Sequence, residues 1–279
     1  MKKILTSKLV INIIINRIMV VMLMIAALLL SLTSSLYAET PMEKGYEIAA
    51  RSDRSDRGFK TSIAKLTMTL KNAAGNETIR EMEIKTQEKQ EENVGDKSVT
   101  LFFTPPDVEG TALLSHAKIL DSDDQWLFLP ELARIKRISS SNKSGPFVGS
   151  EFSFEDLTAA ELGKYSYKYL ETTTLDGMQV DVLEQKPLYK RSGYTKLIAY
   201  YDQEINQLRK VEFYNRGGTH FKTLIQSEFK NFGGTIYRPM LQEMNNHLTK
   251  KSTTLRAESY QFGVELDENE FKSSALSQL

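Results

Sequence analysis

The chain has 279 residues, of which 41% are hydrophobic and 26% charged, so bulk disorder is excluded and one large all-β domain or two ordinary domains are accommodated. Its 36 basic residues balance 36 acidic ones, which removes the excess positive charge that nucleic-acid binding demands. It has no cysteine, hence no disulfide and no thiolate to complete a zinc site.

Before Glu39 the only charges are Lys2, Lys3, Lys8 and Arg17. Ile18 to Ala38 carries none, and "MVVMLMIAALLLSL" is solidly apolar. A basic start, an apolar run and the small Ala38 before "ETP" read as a secretory signal peptide over residues 1–38. An uncleaved N-terminal anchor is the rival, since the run approaches the roughly 20 residues that span a bilayer. Both readings put residues 39–279 in the periplasm, soluble if the segment is removed. Removal takes Lys+Arg from 36 to 32 and leaves Asp+Glu at 36, a net charge of −4. No cysteine follows the segment, so the lipid attachment of bacterial lipoproteins has no acceptor.

A short helix is expected from Pro41 through "EKGYEIAARSDRSD", with Tyr46, Ile48 and Ala49 on its buried face and Gly58 as its stop. Period two then takes over. In "AKLTMTL", Leu66, Met68 and Leu70 oppose Lys65, Thr67 and Thr69; "KNAAGNE" turns, and Met82 and Ile84 alternate with charges in "TIREMEIK". "SVTLFFT", "TALLSHAKIL", "QWLFL", "ARIKRI", "KYSYKYLET", "MQVDVLEQ", "TKLIAYYD", "LRKVEFYN", "THFKTLIQSEF", "TIYRPMLQEMNNH" and "TTLRAESYQF" continue at hairpin spacing. The expected fold is mainly β. It is an open antiparallel β-barrel of about eleven strands, with short helices at the start, at "FSFEDLTAAELG" and in the tail from Asp267. A transmembrane barrel is disfavoured, because Lys65, Glu81, Glu83, Lys168 and Lys210 fall on faces that lipid would have to touch. Residues 39–279 read as one domain.

Catalysis has no positive support. His116, His220 and His247 are not at metal-ligand spacing, "DSDD" at Asp121 to Asp124 lacks the rest of a calcium loop, and no nucleophile elbow or phosphate loop is present. "NRGGTH" and "NFGGTI" are hairpin turns. No metal and no cofactor is expected.

The apolar material beside breakers is more informative. "SSSNKSGPFVGS" is small, polar and breaker-rich, and "FSFEDL" opens a capping-box-like turn at Ser153 and Asp156, with Phe154 and Leu157 on one face. Phe147, Val148, Phe152, Phe154 and Leu157 would form a movable lid over an open barrel, or a plug in its end. Trp126 and Phe128 share one strand face and are expected in a cavity wall. Arg134 and Arg137 stand either at the mouth of that cavity, for an anionic head group or a partner's carboxylate, or on a solvated edge strand.

With "FFTPPDVEGTALL", "DDQWLFLPELARIKRI", "GPFVGSEFSFEDL" and the terminal "DENEF", the chain resembles the outer-membrane lipoprotein-sorting protein family, the LolA/LolB-like superfamily. The nearer branch is the one associated with resistance-nodulation-division-type exporters. The resemblance runs from about Tyr46 to the C-terminus, and its most specific parts are Trp-x-x-x-Pro and Gly-Ser-x-Phe-Ser-x-Glu-Asp-Leu. It implies an incomplete antiparallel barrel around a hydrophobic cavity, lidded by helices. The implied non-enzymatic function is carriage of a lipid or of lipoprotein acyl chains, with an exporter as partner. The alternative is an exporter adaptor without cargo. An acyl chain gains about 0.8 kcal/mol per buried CH₂, so such a cavity needs no covalent chemistry.

Overall fold

The computed structural model describes residues 16–25, 39–88, 94–159 and 161–279. The chain separates into two compact units, Met1–Thr40 and Pro41–Leu279. Most of the expected signal segment lies outside the described residues; within it, 16–25 are helical. Among the described residues no helix is long and apolar enough to cross a membrane.

Thirteen antiparallel strands build the second unit, one for each alternating segment of the sequence. They are β1 (Thr61–Lys71), β2 (Glu77–Gln87), β3 (Lys97–Thr104), β4 (Ala112–His116), β5 (Asp124–Leu129), β6 (Arg134–Arg137), β7 (Tyr165–Leu175), β8 (Met178–Pro187), β9 (Tyr194–Asp202), β10 (Leu208–Asn215), β11 (His220–Asn231), β12 (Tyr237–Asn246) and β13 (Ser252–Phe262). Their order in space is 6-5-4-3-2-1-13-12-11-10-9-8-7, so two meanders meet where β1 pairs with β13. The sheet does not close, leaving β6 and β7 as free edges. The chain passes from one edge to the other through residues 138–164, a connection far longer than a hairpin turn.

The alternation buries two separate apolar layers. Inside, Ala64, Leu66, Met68, Met82, Phe102, Leu113, Leu127, Val211, Leu224, Met244 and Leu255 form the main core. Outside, Val99, Ala112 and Leu114, with Trp126 and Phe128 packed against them, are covered by Phe271 and Leu276 of the C-terminal tail. That tail holds on with two 3-10 turns, Glu268–Phe271 and Ser273–Ala275, where a helix is expected. The Lys85–Glu270 ion pair at 2.8 Å and a 2.9 Å contact between His116 Nε2 and the Phe271 carbonyl reinforce it.

The two edges are protected differently. Edge strand β6 is exposed at all four positions, and Arg134, Lys136 and Arg137 discourage a further strand. Edge strand β7 is covered by helix α1 (Pro41–Ser55), which buries Ile48 and Ala49 against Tyr167 and Leu183. Tyr46, expected on the buried face, is instead half exposed and meets Tyr167 edge-on at 6.3 Å. Its place is taken by Gly45: a Cβ there would lie 2.7 Å from the Tyr169 backbone nitrogen, so glycine is what lets the helix lie flat on the strand. Gly45→Ala is expected to cost about 1–3 kcal/mol by overpacking, read as a lower urea midpoint at unchanged m-value.

Candidate functional site

The inner face of the sheet is divided across its strands. One half is filled by the 138–164 connection. The other half is a cavity of about 730 Å³. Side chains on β1 trace the division: Ser62, Ala64 and Leu66 line the cavity, and Met68 continues under the connection. On β2 Ile84 and Thr86 line it while Met82 and Arg80 lie beneath the connection.

The cavity floor is apolar, with Ala64, Leu66, Ile84, Leu208 and Leu255. Its flank is aromatic, from Tyr165, Tyr167, Tyr201 and Tyr260. Helix α1, the loops beside it and strand β12 bring charge to the rim: Asp53, Asp56, Glu88, Asp96 and Glu161 against Arg57 and Arg238. Asp53 pairs with Arg57 at 2.8 Å, and Asp56 pairs with Arg238. Burial pushes the Glu161 carboxyl above the ordinary carboxylate range. The lining therefore suits a ligand with an apolar body and a polar end.

The residues expected as a lid or a plug are packed into the core. Phe147, Phe152 and Phe154 are buried in the main core, and Val148 and Leu157 pack against it. Phe147 stands 5.6 Å from both Phe102 and Phe154, ring to ring. The segment makes short 3-10 turns at Phe147–Gly149 and Phe154–Leu157, the second started by the expected capping box, in which the Ser153 N–H donates to Asp156 at 2.7 Å. Asp156 is then fixed from three sides, by Ser153, by the Tyr194 hydroxyl at 2.6 Å and by Lys222 at 2.6 Å. Both side chains of the Lys222–Asp156 pair are almost fully buried, and the lysine lies over the rings of Tyr194, Phe213 and Phe221.

Trp126 and Phe128 do share a strand face, but it is the outer one, beneath Phe271 and Leu276. Leu127, between them, is the residue that points inward. They are absent from the cavity lining, whose strand residues come from β1, β2 and β7 to β13. Arg137 pairs with Asp124 and lies 6.0 Å over the Trp126 ring; Arg134 is exposed on edge strand β6, and neither lines the cavity. "DSDD" is a turn built on ion pairs: Asp123 receives the buried Lys164 at 2.5 Å and Asp124 receives Lys118 at 2.8 Å. Among the described residues no group of three His, Cys, Asp or Glu is placed to hold a metal ion.

The same architecture occurs in solved structures. A candidate outer membrane lipoprotein-sorting protein domain from Vibrio parahaemolyticus is 44% identical, with a TM-score of 0.81 over 85% of this chain and 99% of that one. A DUF1329 family protein from Desulfovibrio piger (23% identity, TM-score 0.80, 85% and 99% covered) and a LolA superfamily protein from Nitrosomonas europaea (19%, 0.66, 82% and 97%) share the fold. A family model of uncharacterised proteins matches residues 95–278, and no curated protein matches. The fold, the cavity and the Vibrio likeness together define a LolA-like open barrel. This chain belongs to the family of the outer membrane lipoprotein-sorting protein domain.

Two outcomes follow. Phe147→Ala should lower stability by about 3–5 kcal/mol, as for a core phenylalanine; a midpoint close to wild type would make it a lid residue after all. Glu161 binds its proton more tightly in the folded state than its ordinary value near 4.5. Folded chains therefore hold more protons above that pH, and stability falls as pH rises through the window up to the raised folded value. Glu161→Gln should thus be more stable than wild type at pH 7 and equal to it below pH 4.5, measured by thermal melts across pH.

Proposed function

We propose that this protein is a non-enzymatic periplasmic carrier. It holds a lipid, or the acyl chains of a lipoprotein, in the cavity beside α1 and moves it between membranes or to and from an exporter. The observation that carries the reading is the cavity of about 730 Å³ with its apolar floor. That volume falls within the about 300–1,000 Å³ of ordinary ligand pockets. Membership of a family with a lipoprotein-sorting relative supports the choice of cargo. The cavity lies beside α1, away from Phe147 and Phe152, so the cargo enters past α1 and the polar rim.

Purified protein extracted with organic solvent should yield lipid at near one-to-one stoichiometry by mass spectrometry. Ala64→Phe, which fills the floor, should weaken uptake of a fluorescent fatty acid about tenfold, the equivalent of roughly two lost methylene burials. Protein free of lipid that also ignores the probe would defeat the carrier reading. If that protein still bound an exporter's periplasmic domain, it would be an adaptor without cargo.

A further inference from the structure

In an antiparallel meander, alternate turns lie at the same end of the sheet. The β2–β3 and β4–β5 connections and the β9–β10 turn share the end that holds the cavity. The opposite end takes the β1–β2, β3–β4 and β5–β6 turns of the first meander, which carry Asp107, Glu109 and Glu131, and the β8–β9, β10–β11 and β12–β13 connections of the second. The last three are residues 188–193 (LYKRSG), 216–219 (RGGT) and 247–251 (HLTKK). Together they carry Lys190, Arg191, Arg216, Lys250 and Lys251 and no carboxylate, and all five are exposed. Each of the two longer loops also carries a leucine turned to solvent: Leu188 is 64% exposed and Leu248 61%.

The three loops form one patch. Arg216 donates to the carbonyls of Ser192 and Arg191 at 3.1 and 3.3 Å, tying the first loop to the second. His220 and His247, 4.7 Å apart ring to ring and both 2.8 Å from the Thr223 hydroxyl, tie the second to the third. The carboxylates behind the patch are turned away from it. Glu155 is enclosed by Tyr189, Ser192 and the Gly193 N–H, and Glu151 accepts from Asn246 at 2.6 Å. Glu212 is paired with Lys210 at 2.7 Å.

We propose that this patch docks the protein on an anionic membrane surface. Basic side chains supply the attraction to acidic head groups, and the two leucines reach the boundary of the acyl layer. The leucines favour a bilayer over an acidic polypeptide, which would reward charge alone. The opposite end of the sheet, with five carboxylates against two guanidinium groups at the cavity rim, would be repelled. This inference rests on the surface and stands whether or not the cavity carries lipid.

The test is co-sedimentation of residues 39–279 with vesicles. Pro41–Leu279 is a compact unit, and the Vibrio relative, a domain solved on its own, is matched over 99% of its length. Binding is expected to mixed phosphatidylglycerol and phosphatidylcholine vesicles, to be absent with phosphatidylcholine alone, and to fall at high salt. Each basic residue near such a surface contributes about fivefold, so Lys250→Ser with Lys251→Ser should weaken partitioning about 25-fold. Lys65→Ser with Lys272→Ser, an equal change of charge elsewhere on the exposed surface, should leave it unchanged. Leu248→Ser should weaken it at constant charge. Circular dichroism checks that each variant folds. Binding to neutral vesicles alike, equal loss in both lysine pairs, binding to polyglutamate but not to vesicles, or no binding to anionic vesicles would each overturn the proposal.

Discussion

Everything inside this sheet depends on how the chain gets from β6 to β7. The two edges do not pair, so the connection of residues 138–164 must cross the concave face, taking polar backbone through a water-poor interior. An unpaired buried backbone group costs about 1–3 kcal/mol. The buried cations and amides answer that demand. Arg80 donates to the Val148 carbonyl, Gln125 to that of Phe154, Lys222 to that of Glu151, and Lys143 to that of Asp123, where the crossing strap meets the β4–β5 turn. The Glu151 N–H donates to the Thr253 hydroxyl. The two buried side-chain polar atoms without a partner among the described residues, Arg80 Nε and Gln125 Oε1, belong to two of the side chains that hold the strap.

Magnitudes decide how to read the Lys222–Asp156 pair. Breaking a buried pair by removing one partner costs about 3–5 kcal/mol, yet an apolar replacement of both is often neutral or better. The pair therefore contributes position more than stability. Each of Phe147, Phe152 and Phe154 gains about 1.5–3 kcal/mol by burial, so the aromatics hold the strap in and the ion pair fixes which carbonyl faces which donor. Val148 shows the constraint, since it sits at φ 47°, an unfavourable region for a β-branched residue, with its carbonyl on Arg80. The strap fills only half of the concave face. Beyond Met68 and Met82 the strands continue with smaller or more polar residues, Leu66, Ala64 and Ser62 on β1 and Thr86 on β2, and there the cavity opens.

The strands were legible because period two is a local property: each alternating segment became a strand, and the Gly-rich turns fell between them. What stayed hidden is what period two cannot encode. It separates Trp126 and Phe128 from Leu127, but it does not say which parity faces inward, and the aromatic parity went under the C-terminal tail. It marked Phe147, Phe152 and Phe154 as apolar without distinguishing a plug from a lid, because both need the same residues. The cavity wall was missed because its residues come from distant strands, with no motif to gather them. Lys143, Lys164 and Lys222 were unreadable for a different reason. Lysine is almost never buried unless paired, and their oxygen partners stand 20, 41 and 66 residues away.

Turn parity is a signal that does survive in such a sequence. A meander sends every second turn to the same end, so strand counting alone sorts loop composition by position. "LYKR", "RGGT" and "HLTKK" fall together, as do Glu88, Asp96 and the aspartates of "DSDD". Neither set is notable by itself, since charged turns are ordinary in antiparallel sheets. Within β7 to β13 their segregation makes the ends unlike, one of them basic with exposed leucines, whereas the first meander sends Asp107, Glu109 and Glu131 to the same parity as the basic loops. Helix α1 strengthens the contrast, because its C-terminal end at Ser55 points its negative partial charge toward the acidic rim formed by Asp53, Asp56 and Glu88. A basic patch arranged in this way orients the molecule before contact, and it arises from the order of the strands.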